Sequence, residues 1–381
     1  MPDLVPFLEV PDLLVETGGD GLNLCFGCGT CTGLCPWNLV RSFNVRLLIR
    51  TAQLGLEPED TADVWRCATC GYCVANCPRE VPIIDVMRSM RAMTGESGSH
   101  PQTIRAMLAS QGQNGNPWAG EAEARNGWAC ELEMPESGQA DDWMFYACCT
   151  QCYDPETRRS AVAQVRVLRA GGVKMWISPL ESVCCGCSVR ETGSVELTER
   201  MGRSNVDRFK KSGARRILTA SPHCYNAFIK DYPAWGGEYE VRHYTQVMHE
   251  LLQSGQLVPK REVKRTVTYH DPCYLGRHNG IYDEPRACIR AVPGVELVEM
   301  PRNREESLCC QGGGGQIFMD APADERFAKL RVQEALDAGA EVLLTACPYC
   351  NSMFRDSIKI LDAEDRLKVM DIAELVWESL A

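Results

Sequence analysis

Residues 25–36 read CFGCGTCTGLCP, and residues 67–78 read CATCGYCVANCP. Cys67, Cys70, Cys73 and Cys77 each lie 42 positions after their counterparts Cys25, Cys28, Cys31 and Cys35, and both runs end in proline, Pro36 and Pro78. A duplication this regular shows that the spacing C-x2-C-x2-C-x3-C-P matters, not only the abundance of cysteine. The chain holds 22 cysteines in 381 residues, and only Cys130 and Cys288 stand apart from groups. Those two read as small buried hydrophobes. The N-terminal stretch MPDLVPFLEVPDLLVE has no basic start and carries acids and prolines through its apolar part, so no secretory signal is expected. No apolar run is long enough to span a bilayer. The expected location is cytoplasmic, with any membrane association made through a partner. Thiols stay reduced there, which excludes a disulfide scaffold and leaves metal ligation. A formal charge of −11 argues against nucleic-acid binding. Apolar residues at 45% are ordinary for a globular chain.

The duplicated spacing is the one that bacterial ferredoxins use to hold cubane [4Fe–4S] clusters, with the fourth cysteine of each run serving the other cluster. Cys25, Cys28, Cys31 and Cys77 are therefore assigned to one cubane, and Cys67, Cys70, Cys73 and Cys35 to the other. Zinc suits an isolated C-x2-C pair, but two complete copies with both prolines argue against it. Between the runs Val45, Leu48, Ile49 and Ala52 follow helical spacing, and after them Ile83, Val86, Met87 and Met90 do the same. A two-cluster unit with a long helical insert resembles the α-helical ferredoxin type.

Residues 96–141, rich in Gly, Ser, Gln, Asn, Glu and Pro, read as a linker with one short helical stretch near Ile104 to Leu108. Beyond it a second repeat appears. Cys149, Cys184, Cys185 and Cys224 precede Cys273, Cys309, Cys310 and Cys350 by 124, 125, 125 and 126 positions. Flanking text agrees: ESVCCGC against ESLCCQGGGG, and SPHCYNAF against CPYCNSMF. The segments MFYA, VKMWIS and RILTA in the first copy, and RTVTYH, VELVEM and EVLLTA in the second, read as strands. ADERFAKLRVQEALDAG reads as a helix. Alternating strands and helices predict a parallel α/β sheet built twice, with cysteines where strands end.

Cys273, Cys309, Cys310, Cys347 and Cys350 carry the complete cysteine-rich "CCG" pattern. The chain resembles heterodisulfide reductases and related iron–sulfur oxidoreductases: a ferredoxin-type part (1–95) fused to two tandem CCG modules, 142–260 and 261–381. The resemblance implies an unusual noncubane [4Fe–4S] cluster on those five cysteines, which would be the catalytic site. The first module departs from the pattern, because Ser221 stands where the second has Cys347. Cys149, Cys184, Cys185 and Cys224 remain as metal ligands. Either Cys148, Cys152 or Cys187 restores a fifth, or the site takes an ordinary [4Fe–4S] cluster, a [2Fe–2S] cluster or Zn²⁺. The QGGGG loop lacks the lysine and Ser/Thr of a phosphate loop, and its glycines are expected to let backbone approach a cluster closely.

His223 and His270 stand beside cysteines, as ligands, proton donors or hydrogen-bonding neighbours. Asp271 suits proton delivery or a turn before Pro272, and Arg277 and His278 suit a positive rim or solvated surface. Two functions are compatible with the resemblance. One is a reductase, passing electrons singly through two cubanes to a CCG-bound cluster that cleaves a disulfide. The other is a non-catalytic relay between a flavoprotein and another acceptor, such as a quinone-linked subunit or an acyl-CoA reductase. Both require redox partner subunits of flavoprotein or membrane-anchor type, since no flavin or nicotinamide fingerprint is present. Leu4, Val5, Phe7, Leu8 and Leu13 are candidate apolar contacts for one of them.

Overall fold

Residues 6–56 and 61–380 are described by a computed structural model, in which the chain forms two units. Leu4 and Val5 fall outside the described residues. The first unit comprises Met1–Ala106 together with two excursions from later in the chain, Ser188–Glu196 and Gln311–Phe327. The second comprises Met107–Cys187, Leu197–Cys310 and Ala328–Ala381.

Helices build the first unit. Asn44 accepts the amide of Leu47 and so starts helix Val45–Gln53, whose Val45, Leu48, Ile49 and Ala52 are buried. Helix Ile83–Glu96 buries Ile83, Val86, Met87 and Met90, the stripe read from the sequence. Helix Val10–Glu16 packs against both. Short helices Thr30–Leu34 and Tyr72–Ala75, one inside each cysteine run, pack together. Trp37 donates its indole N–H to the Arg66 carbonyl at 2.6 Å and meets Phe327 edge-on at 5.2 Å.

Arg91 joins the pieces of this unit. It is fully buried, and all five of its N–H donors are used. Nε serves Val64, one terminal nitrogen serves Glu191 and Gly314, and the other serves Trp65 and Cys67, all through backbone oxygens at 2.7–3.1 Å. Nearby Arg88 pairs with the buried carboxylate of Glu191. Gly314 lies at φ +61°, where a Cβ would stand 2.1 Å from the Cys67 carbonyl oxygen. The glycine loop thus does permit a close approach, and what it approaches is the backbone carrying Cys67.

The second unit contains two four-stranded parallel sheets among the described residues. Strands β1 (Trp143–Tyr146), β2 (Met175–Ile177), β3 (Arg216–Thr219) and β4 (Glu240–His243) lie in the order β2-β1-β3-β4. Strands β5 (Arg265–Tyr269), β6 (Val295–Leu297), β7 (Val342–Thr345) and β8 (Lys368–Asp371) repeat it as β6-β5-β7-β8. Register is equivalent too: Tyr146 faces Thr219 in one sheet, and Tyr269 faces Leu344 in the other.

One apolar core spans both modules, from Phe145, Val165 and Leu218 to Val267, Leu344 and Val376. Helix Pro155–Ala170 of the first module packs on helix Ile372–Leu380 of the second, and Tyr244–Gln253 packs on Asp283–Arg290. Part of the segment expected to be linker also enters this core. Helix Gln102–Asn114 runs longer than the stretch read from sequence, and Trp128, Ala129 and Leu132 are buried in the second unit. No helix among the described residues is long and apolar enough to cross a membrane.

Candidate metal centres

The two cysteine runs of the first unit share a backbone as well as a spacing. Gly27 (φ +77°) and Gly29 (+87°) match Thr69 (+49°) and Gly71 (+76°), position for position across the 42-residue repeat. Left-handed residues at these places turn consecutive N–H groups into a concavity that suits anionic sulfur. Thr69 adopts that conformation without being glycine, which marks the turn as imposed by its surroundings. Its amide donates to the Cys67 sulfur at 3.4 Å.

Cys35, Cys67, Cys70 and Cys73 line one small cavity, closed by Trp37, Ile83 and Phe327. Burial and the neighbouring Cys70 and Cys67 raise the Cys35 thiol, and burial with Cys67, Cys70 and Cys35 nearby raises Cys73. The fourth cysteine of the first run therefore stands with the first three of the second. Cys25 and Cys28 lie beside Cys31, whose thiol is raised chiefly by burial. Cys77 accepts the Val81 amide at 3.4 Å just after helix Tyr72–Ala75.

In the second cysteine-rich module the thiols follow the carboxyl ends of three adjacent strands: Cys273 after β5, Cys309 and Cys310 after β6, Cys347 and Cys350 after β7. Cys347 precedes helix Pro348–Ile360, and Cys350 sits in its first turn. All five are buried. Cys350 donates to the Cys310 sulfur at 3.1 Å. Hydrogen bonds from Cys309 and Cys350 hold Cys310 well below the usual thiol range. Burial would raise Cys347, but bonds from Cys350 and His223 bring it to about 6. Thiols that stabilise one another's charge this way are poised to act as thiolate ligands.

His270 adjoins this set, its nearest ring nitrogen lying within 4.8 Å of the Cys310 and Cys350 sulfurs. Buried Arg331 donates to His270 Nδ1 at 3.3 Å, which places the imidazole proton on Nε2. With Nδ1 so occupied and Nε2 protonated, His270 reads as a polar neighbour of the Cys310 thiolate and not as a metal ligand. His270→Leu is accordingly expected to leave the iron content of this module intact. Loss of the polar imidazole beside Cys310 should lower the module's reduction potential, as a redox titration followed by electron paramagnetic resonance would read. An unchanged potential would remove His270 from the site.

Asp271, read as suiting proton delivery or a turn, is held by arginine: Arg286 binds it bidentately at 2.6 and 2.9 Å, and the Arg304 amide adds a third bond. Arg277 spends its guanidinium on the carbonyls of Glu305 and Ser307. His278 stacks on Tyr274 at 4.2 Å.

The first module repeats the arrangement at β1, β2 and β3. Cys149 adjoins Cys184, Cys184 adjoins Cys185, Cys185 adjoins Cys224, and Cys224 adjoins Cys148. Bonds from Cys184 and Cys224 lower Cys185 to about 6. One feature here has no sequence signal. Buried Arg125, from the stretch read as linker, donates to the Cys149 sulfur at 3.4 Å and lies over the Tyr146 ring. Buried His223 stands between the modules, with Nδ1 3.5 Å from the Cys187 sulfur. It also bonds Cys347 of the second module, and its ring lies 4.1 Å from Tyr274 and 4.6 Å from Tyr349.

Clustered buried thiols at strand ends in one unit, and duplicated cysteine loops in the helical other, define an iron–sulfur redox protein. Residues 24–81 match the 4Fe-4S dicluster domain, and residues 143–229 and 267–355 each match the cysteine-rich domain called CCG. The chain belongs to the heterodisulfide reductase-type family of CCG iron–sulfur proteins. It is 30% identical to a subunit of the dihydromethanophenazine:CoB–CoM heterodisulfide reductase from Methanosarcina mazei, over 94% of both chains. It is also 35% identical to the probable iron–sulfur-binding oxidoreductase FadF of Bacillus subtilis, over 84% of this chain and 46% of that one. The EtfAB:quinone oxidoreductase of Syntrophomonas wolfei is 33% identical over 94% of this chain and 58% of its own length. The chain thus spans about half the length of these last two relatives.

Proposed function

We propose that this chain is an electron-transferring subunit in which two cubane [4Fe–4S] clusters feed a noncubane [4Fe–4S] cluster in the second cysteine-rich module, with a disulfide as terminal substrate. The cubane ligands would be Cys25, Cys28, Cys31 and Cys77, and Cys67, Cys70, Cys73 and Cys35. Cys273, Cys309, Cys310, Cys347 and Cys350 would hold the noncubane cluster. The observation that carries this reading is the convergence of buried thiols around Cys310 and Cys350 at 3.1 Å, in a module with all five family positions filled. Sulfur-only donor sets that are buried and share protons fit iron–sulfur clusters better than hard cations.

When bound, such clusters supply one-electron transfer, and a disulfide requires two electrons. The chain's own residues set the surroundings. His270 keeps a proton on Nε2 near Cys310, Arg125 places a fixed positive charge beside Cys149, and His223 stands next to thiols of both modules. Electrons would arrive from a redox partner. Exposed Phe7, Leu8, Leu13, Leu24, Phe26 and Leu39 on the first unit give such a partner an apolar surface.

A second reading is favoured by the relatives with the higher identities. Their names concern electron-transferring flavoprotein, quinone and iron–sulfur binding, which points to a relay between a flavoprotein and a quinone-linked acceptor. Turnover separates the two. Protein purified without oxygen and reconstituted with iron and sulfide is expected to oxidise reduced viologen when given the disulfide of coenzyme M and coenzyme B. Electrons accepted by a soluble quinone analogue and not by the disulfide would decide for the relay.

A further inference from the structure

The first cysteine-rich module lacks a thiol at 221, yet its cysteines repeat the contacts of the complete module. In the second module Cys309 adjoins Cys310, Cys350 bonds Cys310 at 3.1 Å, and Cys347 adjoins Cys350. In the first, Cys184 adjoins Cys185, Cys185 adjoins Cys224, and Cys148 adjoins Cys224. Cys148 therefore stands to Cys224 as Cys347 stands to Cys350.

The backbone explains how this happens. Ser221 (φ −129°, ψ 134°) and Cys347 (φ −149°, ψ 123°) hold the same extended conformation just before helices Pro222–Lys230 and Pro348–Ile360. The Ser221 side chain thus leaves the chain as the thiol of Cys347 does. Its hydroxyl is fully buried. The thiol beside it is that of Cys148. Position 148 corresponds to Pro272 in the second module, one residue before the strand-end cysteine. A thiol is absent at 221 and present at 148, beside Cys224.

Two further cysteines lie close by but turn elsewhere. Cys152 donates to the Ala147 carbonyl, and Cys187 faces His223. Neither takes the place beside Cys224.

We propose that Cys148 supplies the missing thiolate, so that Cys148, Cys149, Cys184, Cys185 and Cys224 form a second five-cysteine site for an iron–sulfur cluster of the kind proposed for the C-terminal module, on which reading this inference rests. The buried guanidinium of Arg125 offsets part of the negative charge that five thiolates bring.

Metal content and spectroscopy test this on the full-length protein, reconstituted without oxygen. Cys148→Ala should lose as much iron and acid-labile sulfide as Cys185→Ala, together with the same part of the electron paramagnetic resonance spectrum. The signal that disappears in Cys310→Ala should remain. The double variant Cys148→Ala/Ser221→Cys moves the thiol back across the site and should regain the lost iron, which separates ligand loss from misfolding. A Cys148→Ala protein with full iron and an unchanged spectrum overturns the inference, as does a folded double variant that stays depleted. If Cys310→Ala removes no signal at all, it is the proposal for the second module that has failed.

Discussion

Arg91→Met is expected to unfold the first unit at markedly lower denaturant than the wild type, and to release its iron in the same transition. Methionine fills much of the volume, but it leaves the carbonyls of Val64, Trp65, Cys67, Glu191 and Gly314 without their donors. An unsatisfied buried acceptor costs about 1–3 kcal/mol, and partial rehydration recovers some of that, so a loss on the order of 5 kcal/mol is expected. Lysine offers three donors on a point charge and should rescue little. The guanidinium also acts on the site: burial raises the Cys67 thiol, and Arg91 is the chief influence lowering it. Urea unfolding followed by the visible absorbance of the clusters measures the effect, with far-ultraviolet circular dichroism reporting the second unit separately. Coincident midpoints for variant and wild type would show that the three segments of the first unit hold together without this residue.

Arg91 also marks where sequence reading stops. The cysteines were legible because thiolate ligation demands fixed spacing, and the duplications of 42 and about 125 residues expose that spacing directly. Strands β1, β2, β3, β5, β6 and β7 were legible from short runs of apolar and β-branched residues. β4 and β8 were not. Each has four residues, EVRH and KVMD, at a sheet edge, where burial alternates with exposure and little apolar signal survives. The glycine loop was legible as a close approach, but its target was not, since the Cys67 carbonyl lies more than 240 positions away in sequence. Arg91 and Arg125 left no trace at all. Their partners are backbone oxygens, a ring and a thiol gathered from distant segments, and an arginine among polar neighbours reads as surface. The stretch around Trp128 failed for a related reason. A few large apolar residues spaced through a polar segment anchor it to a core without giving it a period.

Cys310→Ala should abolish the metal centre of the second module and with it any disulfide turnover, while both cubanes remain reducible. The Cys310 sulfur is the hub of its site. It is bonded by Cys350, adjoins Cys309, and has His270 as a neighbour. No neighbouring thiol is placed to replace it, because Cys309 and Cys350 already hold their own positions in the set and Cys288 lies across the core, bonded to the Thr245 carbonyl. The fold itself should survive. Exchanging a buried sulfur for a methyl leaves a void of about one heavy atom, and such losses cost roughly 1 kcal/mol. Structural damage and loss of the centre can therefore be told apart. The variant should keep its unfolding free energy within about 1 kcal/mol of the metal-free wild type, lose the iron of one site, and drop to background viologen oxidation with the disulfide. His270→Leu, which removes the donor and keeps the five thiols, should retain the iron and lose only part of the rate. Equal turnover in Cys310→Ala and wild type would move the terminal redox site out of the C-terminal module. Full iron with no turnover would show that Cys310 acts on the substrate without holding metal.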